Sequence, residues 1–316
     1  MKKKIFAHCR NILLIFLIIS FICTFLGYFS KANFIFDICS HFRIQYFLFA
    51  IFMLLFEILT KNKNKLVFIT IGTIIFLNFF SIIPHIRFYH DNKKDIQSFT
   101  IGSFNVYTDN HEYQKVRDEL KKSESEILVI QEINDVWSNE LTEIKDSYPY
   151  IYEVTEYDNF GIAIYSKIPI KKVRKIIAGK LAIPIISAEC EYMGENFEIL
   201  AVHTTPPTSQ AYYKNTQGMM ENLAKYIKNQ DKTFILAGDL NTSFYSYNYK
   251  NFIKQTKMKD TGNIFTPTWC QNWIFPMRIS LDHIFVSKNV KIYKFKTGKS
   301  SGSDHFPIYA KISLKN

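Results

Sequence analysis

Asp304 and His305 sit in "SGSDHFPIYA", residues 301–310, a Gly/Ser turn that runs straight into an alternating apolar segment. Taken alone, the pair is most simply a polar turn. It is not alone. Asn105 stands at the end of "SFTIGSFNV", Glu132 ends "EILVIQE", and His203 ends "NFEILAVH". Asp239 and Asn241 close "TFILAGDLN", while Asp282 and His283 lie at the head of "LDHIFVS". Polar residues at the ends of otherwise apolar strands rest on a rigid sheet and can converge on one cleft. Carboxylates and amide oxygens without thiolates suit a hard ion such as Mg²⁺ or Mn²⁺. With two separate histidines for proton transfer, this inventory meets the needs of phosphate ester hydrolysis. Cation and amides offset charge on the phosphoryl oxygens, and a base aligns the attacking water. His283 reads as a packing residue.

Other chemistries find no support. The one GxSxG match, "GKSSG" at 298–302, runs into the Gly/Ser turn and an alternating apolar segment, not the strand–turn–helix of a nucleophile elbow, and no Walker or Rossmann glycine pattern occurs in the 316 residues. Five cysteines show neither CxxC nor Cys/His zinc spacing. Three of them, Cys9, Cys23 and Cys39, lie in or beside apolar N-terminal segments. A Cys190–Cys270 disulfide is left open for a domain outside the cytoplasm.

The strands that would carry these residues are short and rich in Ile, Val and Phe. They are the segments already quoted together with "FGIAIYS", "IPIISAECEY" and "FPIYAKISL". Helical spacing occurs at Tyr113, Val116 and Leu120, and again over 209–229 with Met220, Leu223 and Ile227 on one face. Strands that often neighbour strands, with helices between, indicate packed sheets with helices outside.

Before this region the texture differs. Asn11–Ser30 is twenty residues without a charge, enough for roughly 30 Å of helix. Residues 44–60 and 66–86 form two more apolar runs, so three transmembrane helices are expected, followed by the polar linker "HIRFYHDNKKDIQ". No small-residue cleavage site follows the first run, which favours an uncleaved anchor. Lys2, Lys3, Lys4 and Arg10 precede the first span, and Lys61, Lys63 and Lys65 separate the second and third. The first connection holds only Lys31 and Arg43. The positive-inside rule then puts the N-terminus in the cytoplasm and everything after about residue 90 outside. The net charge of +11 follows the same division. Residues 1–94 hold twelve basic and three acidic residues, +9. The remainder holds 27 and 25, +2. Bulk charge therefore reports membrane orientation, not a nucleic-acid groove.

The ordered set "GSFNV", "VIQEI", "GIAIYSKIPI", "AVHTTPP", "LAGDLN", "SLDHIFVS" and "GSDHFPIYAKI" resembles the endonuclease/exonuclease/phosphatase superfamily over about residues 97–315. The three apolar runs, with "DICSHFRIQYF" between the first two, further resemble its membrane-anchored bacterial branch. The resemblance implies an α+β, DNase I-like fold, a four-layer αββα sandwich after a three-helix anchor, with domains at 1–94 and 95–316. It implies a Mg²⁺- or Mn²⁺-dependent phosphoric ester hydrolase in the bacterial cell membrane, catalytic domain outside the cytoplasm. By position, Glu132 matches the principal metal-binding acid, with Asn105 and Asp304 near the metal. Asp239 and Asn241 match the pair that orients water and scissile phosphate. His305 matches the histidine that contacts phosphate or takes a proton, and Asp282 the acid that holds it. His203 falls where some branches carry a candidate acid for the leaving oxygen. "HTTPP" lacks the tyrosine of the exonuclease III branch, which counts against abasic-site repair.

Three readings follow. The chain is a phosphodiesterase or nuclease tethered to the membrane, or a lipid-directed enzyme of the same fold acting on sphingomyelin-like or phosphoinositide head groups. The third is a non-enzymatic binding protein, whose simplest sign would be loss of the metal-binding acids. The sequence indicates no oligomeric state.

Overall fold

Runs of Ile, Leu and Phe without internal turn residues make the N-terminal region helical. The computed structural model describes residues 2–89 and 97–314 and divides into two units. One is Met1–Ile86 with Ser243–Tyr247, the other Arg87–Thr242 with Asn248–Asn316. The boundary expected at residues 94 and 95 lies outside the described residues.

The first unit holds helices α1 (Lys2–Leu26), α2 (Phe34–His41), α3 (Arg43–Leu59) and α4 (Lys65–Ile82). Asn33 and Asn64 cap α2 and α4, their side chains accepting from the amides of Ile35 and Leu66. Lys4–Phe29 and Lys65–His85 are each long and apolar enough to cross a membrane. The middle run differs from expectation. It is α3 joined to α2 with a 56° bend, and it makes a third span only if the pair is taken as one. Residues read as a connecting loop thus fold into α2. Several buried polar side chains here are paired. Arg10 donates to both carboxylate oxygens of Glu57 at 3.2 Å. Arg43, fully buried, lies 4.1 Å over the Tyr28 ring and donates to Asn78. Ser243–Tyr247 joins this unit through Phe244, whose ring stacks on His85 at 5.1 Å.

The second unit is built on two six-stranded sheets. Its strands are β1 (Ser98–Asn105), β2 (Ile127–Gln131), β3 (Tyr150–Val154), β4 (Ile162–Ser166), β5 (Ile170–Ile177) and β6 (Pro184–Tyr192). They continue with β7 (Glu195–Ala201), β8 (Thr233–Asp239), β9 (Lys259–Asp260), β10 (Asp282–Val286), β11 (Lys291–Thr297) and β12 (Ile308–Ser313). The orders are β11-β12-β1-β2-β4-β3 and β5-β6-β7-β8-β10-β9. Each sheet is mixed: β1–β2 and β7–β8 are its parallel pairs, and the other pairings are antiparallel.

Side-chain alternation builds two layers from one strand. Ile127 and Val129 join a core with Ile101, Ile164, Ile199, Ile235 and Ile284, drawn from both sheets. Leu128 and Ile130 face the other way. They pack with Val116 and Leu120 of α5 (Tyr113–Ser123), Trp137 of α6 (Asp135–Glu140) and Ile144 of α7 (Thr142–Lys145). Burial on both faces explains the unbroken apolar runs of the central strands. The longer α8 (Gln210–Lys228) carries the buried stripe Met220, Leu223 and Ile227, and α9 (Tyr247–Thr256) buries Tyr249 and Phe252. The α+β sandwich expected from sequence is the observed architecture.

Candidate active site

Asn105, Glu132, Asp239 and Asp282 lie at the ends of the central strands β1, β2, β8 and β10. In the second sheet Asp239 and Asp282 are direct cross-strand partners. Parallel pairing of β1 with β2 sets Asn105 opposite Gln131, one residue before Glu132. One glycine is required for this alignment. At Gly238 (φ +152°) a Cβ would stand 1.7 Å from the Val202 carbonyl oxygen, so no other residue fits between β8 and the chain leading to His203.

Asp239 is the hub. Its Oδ1 accepts from the Asn241 amide at 2.8 Å, and its Oδ2 accepts from Asn105 Nδ2 at 3.1 Å. The same Oδ2 lies 3.6 Å from His203 Nε2 and 3.5 Å from His305 Nε2. His305 Nδ1 meets Asp282 Oδ2 at 2.8 Å, which fixes the ring and turns Nε2 toward Asp239. Asn105 also donates to Glu132 Oε1 at 2.8 Å, and the Thr108 amide donates to Glu132 Oε2 at 3.0 Å. Asn241 donates to the Thr204 carbonyl at 2.8 Å, with its amide nitrogen 3.5 Å from His203 Nε2. Asp304 lies at the rim: Oδ1 is 4.0 Å from His305 Nε2, and Oδ2 accepts from the Trp269 indole at 2.8 Å.

The structure therefore brings His203, Asp239, Asn241, Asp282 and His305 into one network with Asn105, and through Asn105 with Glu132. Burial is the main cause of the electrostatic shifts. It pushes the carboxyls of Glu132 and Asp239 upward, partly offset by hydrogen bonds from Asn105 and Thr108 at Glu132 and by the imidazoles at Asp239. Burial lowers His203 despite Asp239. At His305 burial also opposes the charge, yet Asp282 and Asp239 prevail and raise it to about 10.

The residues fit a hard divalent cation. Glu132 is 8% exposed and, among the described residues, has no cationic side chain within ion-pair distance. Asp282 Oδ1 is buried without a hydrogen-bond partner. The donor atoms brought closest, within 4.8 Å of one another, are those of Asp239, Asp282 and His305. These are already engaged with each other, whereas the carboxylate of Glu132 has only its two hydrogen bonds and the more distant charge of His305.

Several contributors were not legible from sequence. The Trp269 indole holds Asp304, and its segment runs beside residues 304–306 through Gln271 N to Asp304 O and Phe306 N to Thr268 O, both 2.8 Å. Ser303 Oγ donates to the Asn105 carbonyl at 2.7 Å and accepts from the His305 amide at 3.0 Å. A serine two residues before a turn histidine is the signal that could have found it. His283, read as packing, is buried beneath the Asp239–Thr242 turn. Its Nδ1 meets Asp260 Oδ2 and its Nε2 meets the Thr242 carbonyl, each at 2.8 Å. Burial disfavours charge on both, yet their attraction outweighs it, raising His283 and lowering Asp260. Cys190, in the core, and Cys270 are free, so the disulfide left open by the sequence is not formed.

The Endonuclease/Exonuclease/phosphatase family matches residues 102–305, a span containing each of these site residues. The chain belongs to that family. Solved members and relatives share its fold at low identity. An endonuclease/exonuclease/phosphatase from Bacteroides vulgatus is 17% identical with a TM-score of 0.60, covering 69% of this chain and 99% of its own. A family protein from Leptotrichia buccalis is 20% identical (TM-score 0.54; 68% and 99%). D. rerio TDP2, complexed with a single-strand DNA product, is 17% identical (TM-score 0.57; 68% and 99%). Among curated proteins, none matches the chain in sequence.

Proposed function

We propose that this endonuclease/exonuclease/phosphatase family protein is a membrane-anchored phosphodiester hydrolase dependent on Mg²⁺ or Mn²⁺, acting outside the cytoplasm. The observation that carries the reading is the relay Asp282–His305–Asp239, with contacts of 2.8 and 3.5 Å. Asp239, held by the Asn241 amide, is placed to accept a proton from the attacking water. Asp282 keeps His305 Nε2 pointing into the site, where it contacts a phosphoryl oxygen. His203 stands on the other side of Asp239, against the Phe160 ring, and serves the leaving oxygen. Glu132, Asn105 and Asp304 would hold the cation, which supplies charge neutralisation for the phosphoryl group.

Nucleic acid is the first substrate to test, since a structural neighbour carries a single-strand DNA product. One observation favours a second, lipid-directed reading. The loop beyond Trp269 exposes Trp273, Ile274, Phe275 and Met277, with Ile274 72% exposed, and the Trp269 and Trp273 rings lie 5.2 Å apart. An exposed apolar loop beside a phosphoesterase site suits an acyl-chain surface. Full-length protein should be assayed with Mg²⁺ on single-stranded DNA, bis(p-nitrophenyl) phosphate and sphingomyelin or phosphoinositide vesicles. Hydrolysis of DNA and the small diester is expected. Turnover of vesicles alone would install the lipid reading, and no turnover of any diester would reject the proposed function.

The orientation rests on the basic residues flanking the apolar helices. A periplasm-active reporter fused after residue 95 should be active, and one fused within Lys61–Lys65 silent. The reverse pattern would place the site in the cytoplasm.

A further inference from the structure

The second unit carries an open pocket of about 740 Å³ lined by Lys228, Lys232, Lys254, Lys257 and Lys288. No carboxylate lines it. It lies at the other end of the second sheet from the active site, flanked by Lys232, which precedes β8, and Ser287, which follows β10. Asp239 and Asp282 stand at the opposite ends of those strands, about 20 Å away for seven residues at strand rise. The pocket is therefore separate from the relay just described.

Part of this basic cluster has a local explanation. Lys228 ends α8 and Lys254 lies in the last turn of α9, where the negative ends of helix dipoles favour cations. Lys232 is paired with Glu189 and Glu198 at 3.1 and 3.2 Å on its other side. Lys257 directly follows α9, its amide bonded to the Ile253 carbonyl at 2.9 Å, so of the five only Lys288 has neither a helix end nor an acidic partner. Among the described residues, Lys228, Lys254, Lys257 and Lys288 have no acidic partner within ion-pair distance. The domain sequence outside the anchor is nearly neutral, with 27 basic and 25 acidic residues from 95 on. Four ammonium groups without an acidic partner, beside the paired Lys232, are thus a local concentration around one concavity, and their mutual repulsion is relieved when an anion enters. Gln230 and Asn251 add neutral hydrogen-bond donors to the same wall.

We propose that this pocket is an exosite for a multiply phosphorylated anion. Compact ammonium charges on flexible stems match phosphate oxygens without fixed geometry, and the volume suits a ligand larger than a single phosphate. Such a ligand comes either free in solution or as a lipid head group, and the chemistry of the pocket is the same for both. The inference goes beyond the hydrolytic reading and does not depend on it.

The test uses full-length protein in zwitterionic nanodiscs with EDTA, so that no turnover contributes. Inorganic tripolyphosphate is titrated calorimetrically into the wild type and into Lys254→Gln/Lys257→Gln/Lys288→Gln, three exposed positions. An unchanged thermal unfolding midpoint certifies the variant's fold. Binding that weakens steeply with salt, and about tenfold or more in the variant, supports the exosite. A second arm measures binding to phosphoinositide-containing vesicles. Vesicle binding that is lost in the variant, without tripolyphosphate binding, assigns the anion to a lipid head group. Equal affinities in wild type and variant, or no binding of either probe to the wild type, would overturn the proposal.

Discussion

His305→Ala is expected to lower kcat/KM on a phosphodiester by about 10²–10³-fold, the range for a lost electrostatic stabiliser of the transition state, and Asp282→Asn by a similar factor. The reason is the 2.8 Å contact between His305 Nδ1 and Asp282 Oδ2. Without that acceptor the ring loses both its orientation and the carboxylate that favours its charged form, and Nε2 no longer points at Asp239. Two residues acting as one unit are not additive. The double variant Asp282→Asn/His305→Ala should therefore be little worse than His305→Ala alone. Purified variants, compared by kcat/KM on bis(p-nitrophenyl) phosphate, give the answer directly. Multiplying losses would break the unit and leave Asp282 with a separate role.

Metal removal should be as severe. Activity is expected to vanish in EDTA and return with Mg²⁺ or Mn²⁺. Glu132→Gln should cost about 10²–10³-fold, as for loss of one main electrostatic stabiliser of the transition state, and should raise the metal concentration needed for half activity. The geometry sharpens this expectation. Glu132 accepts on both oxygens, from Asn105 Nδ2 and the Thr108 amide. Glutamine can satisfy one donor, but its own NH₂ then opposes the other. Charge and local order fail together. Full activity in EDTA, or a Glu132→Gln variant with unchanged metal dependence, would remove the cation from the mechanism.

What the sequence revealed divides along the sheets. All eight strands read from apolar runs, from "SFTIGSFNV" to "FPIYAKISL", correspond to observed strands. The four that went unread are β3, β5, β9 and β11, which are the four edges of the two sheets. The cause is physical. An edge strand faces solvent and is guarded by charge. "IKKVRKII" of β5 and "KIYKFKT" of β11 alternate lysine with half-buried apolar residues, and β9 has two residues. Their signal was charge where a buried strand has Ile or Val. The candidate residues were legible because each closes or opens a central strand, where an apolar run makes a polar terminus conspicuous. Ser303, Trp269 and Asp260 were not, since they lie in loops or on an edge and act by holding other groups. In the first unit, α2 is not legible from sequence because Asp37 and His41 look like loop residues. They pair with each other at 3.1 Å and are buried.

Glu132 and Asn241 both adopt left-handed backbone, with φ of +62° and +46°. Asparagine tolerates that region, but for glutamate it costs about 1–2 kcal/mol. Nothing in the chain's own conformational preference asks for a long acidic side chain at position 132. Only its carboxylate does. On the proposed function, folding and turnover exert opposite pressures there. In a descendant released from selection for hydrolysis, position 132 would be among the first to drift, toward glycine or asparagine, while the two sheets around it stayed intact.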